Sequence, residues 1–297
     1  MAAPRSDPSE SWRIRLPFRR PWSGQSFREA TIIRGPAGYG EASPLPGFHC
    51  DPALALRSAE EAARGEWPDP VRDRVPVNAV IAALAPAQAV AAALAAVADG
   101  FTCLKIKVGQ GDDLARVSEI RNAVGPDCKI RVDANGAWDL DTATHRLRAL
   151  AASDLELAEQ PVATLEDMAR LRRLVAVPLA ADEAVRDVDD VRRMIRLAAA
   201  DVLVVKVQPL GGVSAAMALV EAAGLPVIVT SMMETSVGLA AGLALAAALP
   251  DLPLACGLAT ASLLAADVTS EPLVPTEGAL TVRPVVVDPA LLERWSI

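Results

Sequence analysis

The chain has 297 residues, 52% of them hydrophobic but only 3% aromatic, and carries a formal net charge of -8. That length supports a substantial core in one large domain, or in a large and a small one. The negative balance argues against nucleic acid and membranes as partners, because anionic surfaces need a basic footprint. The four cysteines, Cys50, Cys103, Cys128 and Cys256, contain no CxxC pair, and His49 and His145 are the two histidines. A disulfide framework or a zinc site is disfavoured, and a reducing cytoplasm fits.

Residues 1–11 are polar and proline-containing, with no apolar core of signal-peptide type, and read as a frayed, disordered tail. Residues 12–74 read as a small α+β capping domain: strands over 12–16 and 30–34, a turn at GPAGYGEASPLPG (35–47), and a helix over 52–64. The uncharged run 75–98 has the length of a membrane span, but Pro76, Asn78, Pro86 and Gln88 interrupt it, so a buried strand followed by a helix is expected.

From residue 75 the pattern becomes periodic. Apolar strands are expected over 77–82, 102–108, 129–134, 155–160, 178–183, 202–207, 226–230 and 253–258. Helices are expected between them, over 87–98, 113–124, 139–152, 165–175, 188–199, 213–223 and 236–249. Strict alternation predicts parallel βα units with right-handed crossovers, spanning 75–265. Residues 266–297 form a C-terminal segment returning toward the capping domain.

One polar side chain recurs near each strand end: Lys107, Asp133, Glu159, Asp182, Lys206 and Ser231, separated by 26, 26, 23, 24 and 25 residues. An open doubly wound sheet gathers its functional groups at one switch point, whereas a closed barrel turns every strand's carboxyl end toward one mouth. The fold class is therefore α/β, a TIM-like barrel of (β/α)7β type behind the capping domain.

Asp133, Glu159 and Asp182 sit on three consecutive strands at one rim, where like charges repel unless something neutralises them. A divalent cation does so, and an all-oxygen site suits Mg²⁺, with Mn²⁺ as the alternative. The competing reading is that each carboxylate pairs with a lysine across the barrel. Alternation puts Cys103, Lys105 and Lys107 of FTCLKIKVG on one face of their strand, and Lys206 lies across the mouth from Lys107. Lys107 then suits a base and Lys105 its electrostatic support, while Lys206 is an ion-paired residue, a second catalytic lysine or a Schiff-base former.

The motifs KIK (105–107), VDANG (132–136), AEQP (158–161), ADEA (181–184) and VVKVQPLGG (204–212), with GYGEASP (38–44), resemble the enolase superfamily, and more narrowly its muconate-lactonising-enzyme-like branch. The resemblance implies that Asp133, Glu159 and Asp182 bind the metal and that Lys107 and Lys206 flank the substrate. Proton abstraction beside a carboxylate then builds an enediolate that the metal holds. Glu183 and Asn135 would orient these groups. Gly211 and Gly212 read either as an anion cradle at a helix start or as a tight turn. Ser231 and Ser262 read as substrate contacts or as capping groups.

Within the branch, dipeptide epimerases carry an Asp-x-Asp after the last strand, whereas here the stretch is CGLATASLLAADV, with no acid before Asp267. GLATASLLAADV and the compact size look like short o-succinylbenzoate synthases. That likeness implies a metal-assisted syn dehydration of a small carboxylate in menaquinone biosynthesis. The alternatives are an N-acylamino-acid racemase or related epimerase or cycloisomerase, and, from another class, a non-catalytic ligand-binding barrel. The protein is expected to be a monomer or homo-oligomer.

Overall fold

The computed structural model describes residues 10–22 and 24–297. The expected tail, 1–11, falls outside the described residues except for Glu10 and Ser11, and Ser11 already begins a strand. β1 (Ser11–Trp22), β2 (Gln25–Gly35) and β3 (Gly38–Ala42) form an antiparallel meander backed by α1 (Pro52–Arg64). Both early strands run well past the expected 12–16 and 30–34, and β3 replaces the middle of the expected turn. Its glycine spacing has a packing reason, because a Cβ on Gly40 would collide with the main chain of Ala59 on α1. α1 spans the expected residues; Asp51 caps it through the Ala53 amide, 2.8 Å, and Pro52 begins it.

The run 75–98 is divided among β4 (Arg74–Pro76), β5 (Ala79–Ile81) and α2 (Pro86–Ala98), and no helix among the described residues is long and apolar enough to cross a membrane. There follow β6 (Cys103–Lys107), α3 (Asp113–Val124), β7 (Lys129–Asp133), α4 (Leu140–Leu150), β8 (Leu155–Glu159), α5 (Leu165–Leu171), β9 (Leu179–Ala181) and α6 (Val188–Leu197). β10 (Val202–Lys206) runs into a single helical turn, α7 (Val207–Leu210), before α8 (Val213–Ala223), β11 (Val227–Thr230) and α9 (Ser236–Ala248). Side-chain oxygens of Asp112, Asp139, Thr164, Asp187 and Thr235 cap the starts of α3, α4, α5, α6 and α9.

β5 to β11 make one parallel sheet of seven strands in sequence order. The expected eighth strand, 253–258, contributes two isolated parallel bridges, Val77 to Cys256 and Thr230 to Gly257. These two bridges touch the chain beside β5 at one edge of the sheet and at the end of β11 at the other, closing it into a barrel with a minimal eighth stave. Pro253 and Gly257 explain the reduction, since proline removes a ladder donor and glycine weakens a strand.

Outward residues such as Leu104, Ile106, Ile130 and Val132 pack against the helices as the main core. Leu157, Ala180, Val202, Val204 and Ile228 form a separate apolar cluster on the opposite faces of the strands, inside the barrel. A third cluster joins Ile14, Leu16 and Ile32 of the meander to Met232, Met233 and Val237 of the barrel. The C-terminal segment returns across this region: β12 (Ala279–Thr281) pairs with β4, and α10 (Pro289–Trp295) leads to an Ile297 amide bonded to the Arg13 carbonyl at 2.9 Å.

Candidate active site

Strand register builds the polar face of the site. Lys107 is the register partner of Asp133, and Asp133 of Glu159, so three strand-terminal side chains stand side by side. Asp182 follows β9 directly, and Lys206 closes β10 beside Thr230 of β11. All of these line one cavity at the carboxyl ends of the strands, with Lys105, Asn135, Ser231 and Thr260.

Lys105 lies one pleat deeper. Its Nζ donates to Glu159 Oε1 at 2.8 Å and pairs with Asp133 Oδ2 at 3.3 Å. Burial opposes its charge, yet Glu159 and Asp133 outweigh that and hold its pKa above the ordinary lysine value. Lys107 Nζ donates to Asp133 Oδ2 at 2.6 Å and to Asn135 Oδ1 at 2.7 Å. Lys206 Nζ donates to Asp182 Oδ1; burial works against its charge too, but Asp182 and Glu183 keep it protonated.

The carboxylates respond to these neighbours unequally. Burial alone would raise Asp133, but Lys105 and Lys107 hold it well below the usual aspartate range. Burial raises Glu159 to about 7, with the charges of Asp133 and Asp182 adding to it against Lys105. Burial also raises Asp182, against the pull of Lys206.

Asn135 and Glu183 take supporting positions. Asn135 Nδ2 donates to Glu183 Oε1 at 2.8 Å while its Oδ1 accepts from Lys107, so one amide orients both. Asn135 sits at φ +47°, in the left-handed region that Asn tolerates better than most residues. Gln160, from AEQP, was not singled out from sequence. It is fully buried, its Oε1 accepts from the Asp182 and Ala184 amides at 2.8 and 3.2 Å, and it thereby fixes the turn that carries Asp182.

Three of the four suggested substrate contacts lie elsewhere. Gly211 and Gly212 face α1, where Glu61 Oε1 accepts from the Ser214 amide at 2.9 Å and the Ser214 hydroxyl at 2.7 Å; the chain's own carboxylate occupies the start of α8. Of the two readings of Gly211 and Gly212, these contacts agree with the tight turn, packed beneath α1, and not with the anion cradle. Ser262 is exposed and donates back to the Ala259 carbonyl at 2.8 Å, so it gives way to Thr260, which lines the cavity. Ser231 does line the cavity, sharing a 2.7 Å hydrogen bond with Thr260. Apolar side chains complete the lining as a second wall: Leu45 and Phe48 of the N-terminal region and Met232, Met233 and Leu263 of the barrel. Sequence reasoning missed this wall, because single apolar residues in loops carry no periodic signal.

A closed parallel barrel with acids and lysines converging at the carboxyl ends of its strands, behind a small α+β unit, is the architecture of a proton-transfer enzyme. The chain belongs to the enolase superfamily: residues 88–285 match the enolase C-terminal domain-like family and residues 14–63 the enolase N-terminal domain-like family. Its relatives include the o-succinylbenzoate synthase of Thermobifida fusca (strain YX), 50% identical over 290 residues that cover 95% of this chain and 90% of that protein. The o-succinylbenzoate synthase of Mycolicibacterium smegmatis is 44% identical over 94% of this chain and 87% of its own. Among solved structures, muconate lactonizing enzyme from Pseudomonas fluorescens, complexed with muconolactone, aligns at a TM-score of 0.88 over 98% of this chain and 99% of that one; at 24% identity the likeness is one of fold.

Enzymes of this superfamily depend on a divalent metal ion. Among the described residues no three His, Cys, Asp or Glu groups are drawn together closely enough to hold one, and each of the three carboxylates is paired with a lysine. The donor set nonetheless fits: three buried carboxylates supply hard oxygens, and Glu159 Oε2 is buried with no hydrogen-bond partner. An orphaned carboxylate oxygen beside two other acids is a place that a cation satisfies.

Proposed function

We infer that the chain is an o-succinylbenzoate synthase, which removes water from 2-succinyl-6-hydroxy-2,4-cyclohexadiene-1-carboxylate to form 2-succinylbenzoate in menaquinone biosynthesis. The observation that carries this reading is the 50% identity to a synthase of that name across 95% of the chain. A mouth lined by both lysines and all three carboxylates supports it.

Asp133, Glu159 and Asp182 are proposed to hold the cation, with Mg²⁺ the metal of choice for three carboxylates and no softer ligand. When bound, it supplies positive charge to the substrate carboxylate as electron density builds there. Lys107, seated between Asp133 and Asn135, takes the proton from the ring carbon that bears the carboxylate. The same ammonium returns that proton to the departing C6 hydroxyl, so one lysine on one face performs a syn elimination and water leaves. Ring aromaticity gained on losing water makes the second stage downhill. Lys206, kept protonated by Asp182, would hold its charge on the other face, where an aromatic ring could take it in cation–π contact. Lys105 stays locked between Glu159 and Asp133 and acts through them. Residues 12–74 are proposed as a capping domain over a barrel of residues 75–265, with the reaction in the cytoplasm.

Purified protein assayed on the cyclohexadiene carboxylate, with and without EDTA, tests this directly. Turnover that stops on chelation and returns with Mg²⁺ is expected. Turnover of N-acylamino acids in place of the cyclohexadiene would refute the dehydration while keeping the site.

A further inference from the structure

Arg28 lies on β2, is 2% exposed, and does not line the cavity. Four of its five hydrogen bonds nevertheless end on the two loops that carry the cavity's apolar lining, and the fifth on its own strand. Nε donates to the Met233 carbonyl at 3.1 Å and Nη2 to the Met232 carbonyl at 3.3 Å, both on the loop after β11. Nη2 also donates to the Ser43 carbonyl, and Nη1 to those of Pro44, 3.4 Å, and Glu29, 3.0 Å. One guanidinium therefore joins the stretch leading to Leu45 and Phe48 to the stretch holding Met232 and Met233, the second of which lies 205 residues beyond Arg28 itself.

The surroundings show why the join must be built. Met233 is held at φ +60°, a backbone region that an unbranched apolar residue seldom adopts without external constraint. Glu234 Oε2 accepts from the Met232 amide at 2.6 Å, so Met232 and Met233 are gripped from the amide side by Glu234 and from the carbonyl side by Arg28. On the other loop, Gln208 Oε1 accepts from the Ser43 amide at 2.9 Å, and Gln208 stands two residues after Lys206. Glu41 ties the same loop to α9, accepting from the Ser43 hydroxyl at 2.6 Å, the Thr235 hydroxyl and the Gly238 amide at 3.0 Å. Arg28, Glu41, Ser43, Gln208, Glu234 and Thr235 are all buried. A buried polar network of this kind is costly unless each member is satisfied, and its members converge on the two wall loops.

We propose that Arg28 is a positioning residue for substrate: its planar fork sets Leu45 and Phe48 on one side and Met232 and Met233 on the other at the spacing that holds the substrate ring against the lysines. The proposal rests on the synthase reading for the identity of that ring. Five backbone carbonyls, four of them on the two loops, take hydrogen bonds from this one guanidinium; an ammonium has three donors and no fork. Charge alone is therefore insufficient, and Arg28→Lys should fail to rescue.

The test compares wild type with Arg28→Lys, Arg28→Gln and the milder Gln208→Ala, using steady-state kinetics on the cyclohexadiene carboxylate and amide hydrogen exchange of the unliganded protein. The expected result for Arg28→Lys is a rise in KM of about tenfold or more with kcat within about threefold, as displaced positioning groups give. Exchange should quicken at residues 43–49 and 231–235 while β7 and β10 keep their protection. Gln208→Ala should give a smaller change of the same sign. Unchanged KM and exchange in Arg28→Lys would overturn the proposal. So would a fall in kcat with exchange quickened throughout the barrel, which is what a purely structural role produces. If wild type fails to turn over the cyclohexadiene, the synthase reading is lost, and the exchange pattern still decides whether Arg28 sets the wall.

Discussion

The two walls of the cavity are built by different means. On the polar wall, Lys107, Asp133 and Glu159 are register partners on neighbouring strands, and each is placed by the strand it ends. On the apolar wall, Leu45, Phe48, Met232 and Met233 sit in loops, held by Arg28 and its network between segments up to 205 residues apart. A side chain fixed by a ladder keeps its place when one neighbour changes. A wall fixed by one buried guanidinium does not, so chemistry and substrate fit should respond to different mutations.

The largest effect is expected on the polar wall: Asp133→Asn should lower kcat/KM by about a thousandfold or more while the far-UV spectrum is unchanged. On the other wall, Phe48→Ala should raise KM about tenfold and leave kcat within about threefold. A fall in kcat as deep as that of Asp133→Asn would erase the division between the walls. Asn135→Ala, which releases both Lys107 and Glu183, should cost about ten- to a hundredfold in kcat/KM. Ser262→Ala should stay within about twofold, because its hydroxyl serves the Ala259 carbonyl.

The buried network also gives a pH signature. Burial, reinforced by the nearby charge of Glu41 and opposed by Arg28, raises Glu234 to about 7 from its ordinary 4.5, and burial raises Glu41 and Cys50 as well. A carboxyl whose folded pKa lies above its unfolded one stabilises the fold fully below the unfolded value and loses that contribution as pH rises through the folded value. Between about pH 4.5 and 7 this group therefore makes urea stability fall with pH. Glu234→Gln, which cannot ionise, should flatten that slope; an unaltered slope would assign it elsewhere.

The same contrast explains what was legible in the sequence. Strand ends recur at nearly constant spacing, so Lys107, Asp133, Glu159, Asp182, Lys206 and Ser231 are legible as one rim in the sequence itself. β3 is hidden because Gly38 and Gly40 read as turn chemistry, whereas Gly40 serves the close approach of α1. The eighth stave was overread, since 253–258 is apolar enough for a strand but pairs only through Cys256 and Gly257. Gly211 and Gly212, as a pair before a helix, suit an anion cradle or a tight turn alike, and only tertiary packing reveals Glu61 at that helix start. The apolar wall and Arg28 had no periodic signal, because their partners are set by the docking of one region on another.

The most direct test is the single-turnover rate of Lys107→Ala on the cyclohexadiene carboxylate, beside Lys206→Ala and wild type, with folding checked by near-UV circular dichroism. With Lys107 as the one residue that moves the proton, its removal should cost about 10²–10⁴-fold or more. A folded Lys107→Ala protein that forms 2-succinylbenzoate at the wild-type rate would contradict the account.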